Sequence, residues 1–206
     1  MTHANIEALV FDLGGVLIDI DFNRVFAHWQ QISSLTLSEI QAKYTHDQAY
    51  QQHERGEISA TEYFEYLREH LQLQDNLPEI AAGWNAIFVG EISATLDLVA
   101  QVGQHYPCYA FSNTNAIHQH VWSSRFPRLH ELFKQIFVSS EMGLRKPDLK
   151  AFTYVADAIG VAPESILFFD DMPENIQGAK AAGFAAVQVQ ATADVKAALV
   201  KLGCLL

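Results

Sequence analysis

"ALVFDLGGVLIDID", Ala8 to Asp21, decides the fold. An apolar run closes on one carboxylate, Asp12, and after a leucine come two glycines, Gly14 and Gly15. A short continuous apolar run bounded by glycine reads as a strand buried on both faces, the kind found inside parallel sheets. In such sheets ligands collect at the carboxyl ends of the strands, so an acid there is placed to hold a cation or to attack a phosphorus atom. Sites of that kind commonly carry a second acid two residues on. Here that position is Gly14.

Working outward, five runs read as buried strands: Ile6–Leu13, Pro107–Phe111, Gln135–Ser139, Ser165–Asp170 and Phe184–Val189. Helical patterns separate the later ones. "KPDLKAFTYVADAIGV" runs from a proline to a glycine stop at Gly160, and "MPENIQGAKAAGF" opens at Pro173 and closes at Gly183. Alternation of this kind predicts an α/β fold with a doubly wound, Rossmann-like parallel sheet. The first two strands are too far apart for one crossover. The span between them is helical by period, with Val25, Phe26, Trp29 and Ile32 on one face and Tyr63, Phe64, Leu67 and Leu71 on another, the latter after a capping box at Ser59 and Glu62. Residues 1–22 and 91–206 therefore read as the core, and 23–90 as an inserted all-helical module.

The 206-residue chain, half of it hydrophobic, is long enough for a sizeable core. It carries 13 Lys and Arg against 24 Asp and Glu, a formal charge of −11. That balance argues against nucleic acid and anionic membrane as partners. It also means that an anionic substrate needs local positive charge. Cys108 and Cys204 show no metal-ligand spacing, and Cys108 reads as a buried thiol. "GCLL" is not a prenylation box, no secretory signal is visible, and the nearly apolar stretch Ile80–Gly90 is too short to span a bilayer. The reading is a soluble, cytoplasmic protein; monomer and homodimer stay open.

The strand ends assemble one rim: Asp12 from the first, Ser112-Asn113-Thr114-Asn115 from the second, Arg145-Lys146-Pro147 after the third, and Asp170-Asp171 from the fourth. Hydrolysis of a phosphate monoester dianion requires an enzyme to supply on the order of 20 kcal/mol. These residue types suit that task. Asp12 can bind Mg²⁺ through one oxygen and attack phosphorus with the other, and Asp171 adds a hard oxygen ligand. Ser112 and the main chain around Asn113 can donate to phosphoryl oxygens, while Lys146 supplies fixed positive charge. The sequence does not choose between Mg²⁺ and Mn²⁺.

The order and wording resemble the haloacid-dehalogenase superfamily, mainly aspartyl-phosphate phosphatases. "FDLGGVL", "FSNTN", "LRKPD" and "FFDDMPENIQGA" look like its four motifs, and the helical insertion looks like its cap. The resemblance implies a phosphate-ester hydrolase with Asp12 as nucleophile, Ser112 and Lys146 holding phosphate, and Asp12, Asp171 and the Gly14 carbonyl holding the metal. Asn175 stands where an acid often assists. Within the superfamily, "FDLGGVLIDIDFNRV", "QHERGEIS", "GWNAIFV" and "MGLRKP" look closest to the bacterial α-D-glucose-1-phosphate phosphatases. A small sugar phosphate is the implied substrate.

Most phosphatases of this superfamily use the second acid to protonate the leaving oxygen and then to deprotonate water, help worth roughly 10²–10⁴-fold. Gly14 can do neither. Either the substrate has a good leaving group, such as an anomeric hydroxyl, or another acid substitutes, with Asp19, Asp21, His53 and Glu54 in range by sequence. His53, Glu54 and Arg55 are the expected cap contacts to substrate; Arg24 reads as a surface cation near the hinge. His118 and His120, two apart, point different ways on a helix and do not read as a metal pair. The competing readings are a metal-independent 2-haloacid dehalogenase, a phosphonatase using Lys43, and a catalytically weak phosphate-binding module.

Overall fold

The structure, a computed structural model, describes residues 6–205. In chain order the elements are β1 (Ala8–Phe11), β2 (Ile18–Ile20), helices α1 (Phe22–Gln31), α2 (Leu37–Lys43), α3 (Gln48–Glu54), α4 (Ala60–His70) and α5 (Leu77–Asn85), then β3 (Phe88–Glu91) and α6 (Ser93–Val102). There follow β4 (Cys108–Ser112), α7 (Ala116–Arg125), α8 (Arg128–Leu132), β5 (Ile136–Val138), α9 (Ser139–Met142), α10 (Leu149–Ile159), β6 (Ile166–Asp170), α11 (Pro173–Ala181), β7 (Ala185–Gln188) and α12 (Thr192–Lys201). Five strands form one sheet in the order β5-β4-β1-β6-β7, every pair parallel. Each lies within or beside a run expected from the sequence.

Both faces of the sheet are covered, which is why its strands are apolar without alternation. Along β1, Leu9 and Phe11 pack into one cluster and Ala8 and Val10 into the other. In β6, Leu167 and Phe169 join the first cluster and Ile166 and Phe168 the second. Phe11 stacks on Phe169 at 4.7 Å between ring centroids. Burial of each such ring contributes about 1.5–3 kcal/mol. Regular pairing of β1 stops at Phe11, but the Asp12 N–H still donates to the Phe169 carbonyl at 2.8 Å. The first acid of the rim is thereby fixed to the sheet.

Helices α1–α5 make the all-helical cap. Val25 and Trp29 of α1 are buried, and Trp29 stacks on Trp84 of α5 at 5.9 Å while its Nε1 donates to the Ile80 carbonyl. The capping box at Ser59 and Glu62 is formed, and a second occurs at Thr36 and Glu39. A small antiparallel pair, β2 with β3, brackets the cap. Both strands are only partly buried, so neither writes the uninterrupted apolar run by which the parallel strands are read from sequence.

Candidate active site

Asp12, Ser112, Asn113, Lys146 and Asp171 all line one cavity of about 310 Å³ at the carboxyl ends of β1, β4 and β6, with Gly14 in its wall. At its centre Lys146 is completely buried. Its Nζ lies 2.9 Å from Asp12 Oδ1 and 2.6 Å from Asp170 Oδ2, and donates to the Phe111 carbonyl at 2.8 Å. A reciprocal pair fixes the lysine's main chain, since Asn113 Nδ2 donates to the Lys146 carbonyl and the Lys146 N–H donates to Asn113 Oδ1, both at 2.8 Å. The Asn113 side chain is thus spent on placing Lys146. Ser112 is nearly buried, and its hydroxyl makes no hydrogen bond among the described residues.

The two adjacent acids, equivalent in sequence, separate in space. Asp170 is fully buried and saturated. Its Oδ1 accepts from the Met172 N–H and Asn175 Nδ2, and its Oδ2 accepts from Lys146 and Asn175. Asn175 therefore serves Asp170. Asp171 is half-buried at the cavity wall, and the left-handed Gly15 (φ +73) makes room for it, since a Cβ there would sit 2.5 Å from Asp171 Oδ2.

Carboxylate oxygens of Asp12, Asp170 and Asp171 lie within 4.8 Å of one another. Burial pushes the Asp12 carboxyl up to about 8, against the pull of Lys146, and Asp170 adds to the rise. Burial and then Asp170 also raise Asp171. One ammonium is too little charge for this acid cluster. A hard divalent cation beside Asp12 and Asp171 would relieve it, so the donor set fits Mg²⁺ or Mn²⁺.

The expected cap contacts do not stay together. Glu54 lines the cavity, whereas His53 and Arg55 do not. His53 is buried, stacked on Tyr63 at 4.3 Å between ring centroids, and burial lowers its pKa to about 4. Arg55 folds onto Glu57, with Nε 2.6 Å from Oε1. Of the other substitute acids, Asp19 is exposed on β2 and Asp21 caps α1 through the Asn23 N–H. Neither lines the cavity. Arg24 is exposed, as is Lys43. His118 is buried with Nε2 3.2 Å from the Trp84 carbonyl, and His120 is exposed, so they form no pair. Sequence reasoning placed Arg145 on the rim but gave it no role. It also missed the apolar wall of Ile20, Phe22, Ile87, Phe88 and Trp122, because that wall draws on the β2–β3 bracket and on α1 and α7 together.

Comparison with known proteins identifies the family. Residues 6–183 match the haloacid dehalogenase-like hydrolase family. A D-ribitol-5-phosphate phosphatase from Bacteroides thetaiotaomicron is 27% identical over 92% of this chain and 94% of its own. Phosphatase MT3486 from Mycobacterium tuberculosis is 27% identical over 96% of this chain and 93% of its own. A crystal structure of a HAD family enzyme from Bacteroides thetaiotaomicron, in complex with magnesium and inorganic phosphate, superposes with a TM-score of 0.79 at 30% identity, covering 89% of this chain and 93% of that one. The chain belongs to the haloacid dehalogenase-like hydrolases.

Proposed function

We propose that the chain, a phosphatase of this family, hydrolyses small phosphorylated metabolites through a transient phosphoryl group on Asp12. The observation that carries the reading is the Asp12–Lys146–Asp170 array, set beside Asp171 in one cavity at the strand ends. Magnesium, present in the structural relative from Bacteroides, would be held by Asp12, Asp171 and the Gly14 carbonyl and would neutralise phosphoryl charge as a Lewis acid. Asp12 Oδ1 is tied to Lys146 and to the Leu13 N–H at 2.7 Å, which leaves Oδ2 as the attacking oxygen. Lys146 and the Ser112 hydroxyl hold the phosphoryl oxygens, and Asn113 positions Lys146. Residues 23–90 act as the cap that closes the cavity over a small substrate. The setting in this reading is the cytoplasm, in keeping with two free cysteines.

No acid stands at Gly14, and a Cβ there would meet Ile20 Cδ1 at 3.0 Å, so hydrocarbon fills the neighbouring space. Of the four substitute acids only Glu54 reaches the cavity, and it is already paired with Arg145. This favours a leaving group that departs with little proton help. An anomeric hydroxyl is such a group, and α-D-glucose 1-phosphate is the substrate proposed. A metal-independent dehalogenase has no use for Asp171 beside Asp12.

The test is release of inorganic phosphate from α-D-glucose 1-phosphate with Mg²⁺, with Asp12→Asn and a chelator as controls. Hydrolysis lost in both controls supports the reading; hydrolysis that survives either one refutes it. The sugar assignment is tested separately by single-turnover rates on glucose 1-phosphate and glucose 6-phosphate, where equal rates remove it.

A further inference from the structure

We infer that Glu54 and Arg145 form a joint subsite that selects a polyhydroxylated leaving group by bridging one of its hydroxyls. The inference rests on the phosphatase reading and adds the residues that choose the substrate. Arg145 Nε donates to Glu54 Oε2 at 2.8 Å, with the two side chains 16% and 5% exposed. The pair spans the cap and the core: Glu54 ends α3, and Arg145 directly precedes Lys146. Both line the cavity, and among the described residues Glu54 is the only cap carboxylate that does so.

The end of α3 is seated firmly. Ser139 Oγ, fully buried, donates to the Glu54 carbonyl at 2.6 Å and accepts from the Thr114 N–H at 2.9 Å. Gly56, left-handed at φ +67, brings the chain so close to the core that a Cβ would stand 2.5 Å from the Ser140 carbonyl oxygen. The carboxylate is thereby held at a fixed depth beside the phosphate pocket.

A buried ion pair is costly unless further hydrogen bonds satisfy it. This one is only part-used. The Arg145 guanidinium has five N–H groups, and among the described residues only Nε is engaged. The Glu54 carboxylate faces the Tyr50 hydroxyl as well as Arg145, and a carboxylate has about four lone-pair sites, so it keeps acceptor capacity for a substrate hydroxyl. The cavity that the pair lines also has an apolar part, from Ile20, Phe22, Phe88 and Trp122, and a polar part from the cap at His46, Tyr50 and Gln51. A second anion on the substrate would meet the Glu54 carboxylate in a protein already at −11, and a cation would meet Arg145. A neutral hydroxyl suits both, since it donates to Glu54 and accepts from Arg145. The apolar wall then faces the C–H surface of the same molecule.

The full chain with Mg²⁺ is assayed on α-D-glucose 1-phosphate and on phenyl phosphate, which has no hydroxyl to read, as wild type, Glu54→Gln and Arg145→Lys. Loss of a charged hydrogen bond to substrate predicts that the ratio of the two kcat/KM values falls about tenfold or more in each variant, through KM on the sugar ester. A fall of equal factor on both esters would mean a latch between cap and core and would overturn the inference. As a second reading, free glucose and inorganic phosphate are measured as product inhibitors. The ratio of their inhibition constants must shift toward weaker glucose binding in the variants, and an unmoved ratio overturns the inference independently of turnover. Wild type inert on both esters with Mg²⁺ would instead remove the phosphatase reading, and this subsite with it.

Discussion

At the scale of single residues, the site is governed by one buried ammonium shared between two carboxylates. Asp170 and Asp12 both contact Lys146, yet only Asp170 is saturated by other donors. Removing the lysine by Lys146→Met leaves Asp170 buried without its cation, and chemical denaturation should show a loss of about 3–5 kcal/mol. Asp12→Asn is the opposite case. Burial already holds this carboxyl up to about 8, so its charge opposes folding at neutral pH. The amide should cut phosphate release by about 10³-fold or more while leaving the metal-free melting temperature level or higher. A variant that melts clearly below wild type would contradict that account. The sequence shows the chemistry-bearing residues here, because each ends a strand. It does not show that Asp170 and Asp171 divide the work, that Asn113 and Asn175 are spent on Lys146 and Asp170, or that Arg55 turns onto Glu57. Those outcomes are fixed by burial and by three-dimensional neighbours, which adjacency in sequence does not encode.

At the scale of elements, β2 decides what Gly14 can be. Ile20 closes the space beside it, so Gly14→Asp alone brings its Cβ against Ile20 Cδ1 at 3.0 Å. The contact is with the far end of a flexible side chain, and shortening it should relieve the clash. Gly14→Asp combined with Ile20→Val should speed hydrolysis of glucose 6-phosphate, whose alcohol needs a proton, by up to about 10²-fold. It should speed the 1-phosphate much less, narrowing the gap between the isomers in single-turnover assays. An unchanged gap would show that the absent acid does not set substrate preference. The β2–β3 bracket was the part of the fold least legible in the sequence, and it carries both Ile20 and Phe88 into the cavity wall. The parallel strands were legible because burial on both faces writes an uninterrupted apolar run. A short antiparallel pair with Asp19 exposed between Ile18 and Ile20 writes almost nothing.

At the scale of the whole molecule, the cap and core meet over buried histidines, and these add an acid-sensitive contribution to stability. Burial lowers His53 to about 4, where it stacks on Tyr63. Burial lowers His118 to about 3; its ring stacks on Trp84 of the cap from its place on α7 of the core. An unfolded histidine titrates near 6.5. Between these values an unfolded histidine binds a proton that the folded one refuses, so the histidines' contribution to stability is full above about 6.5 and is lost as pH falls toward 4 and below. For His53 alone the difference amounts to about 3 kcal/mol at its limit, against a typical total of 5–15 kcal/mol. His53→Phe keeps a flat ring against Tyr63 and cannot take up a proton. Thermal melts at pH 7.5, 6.0 and 4.5 should therefore show the melting temperature of wild type falling relative to that of the variant as pH falls. The exposed carboxylates Glu39, Glu57 and Glu62, whose pKa values hydrogen bonds hold low, add acid sensitivity of the same sign, and the raised Asp12 and Asp171 act in the opposite sense; all are common to both proteins and cancel in the comparison. Parallel slopes for the two proteins would mean that the cap–core junction accommodates a charged histidine, and the assignment of His53 as a buried neutral base would fall.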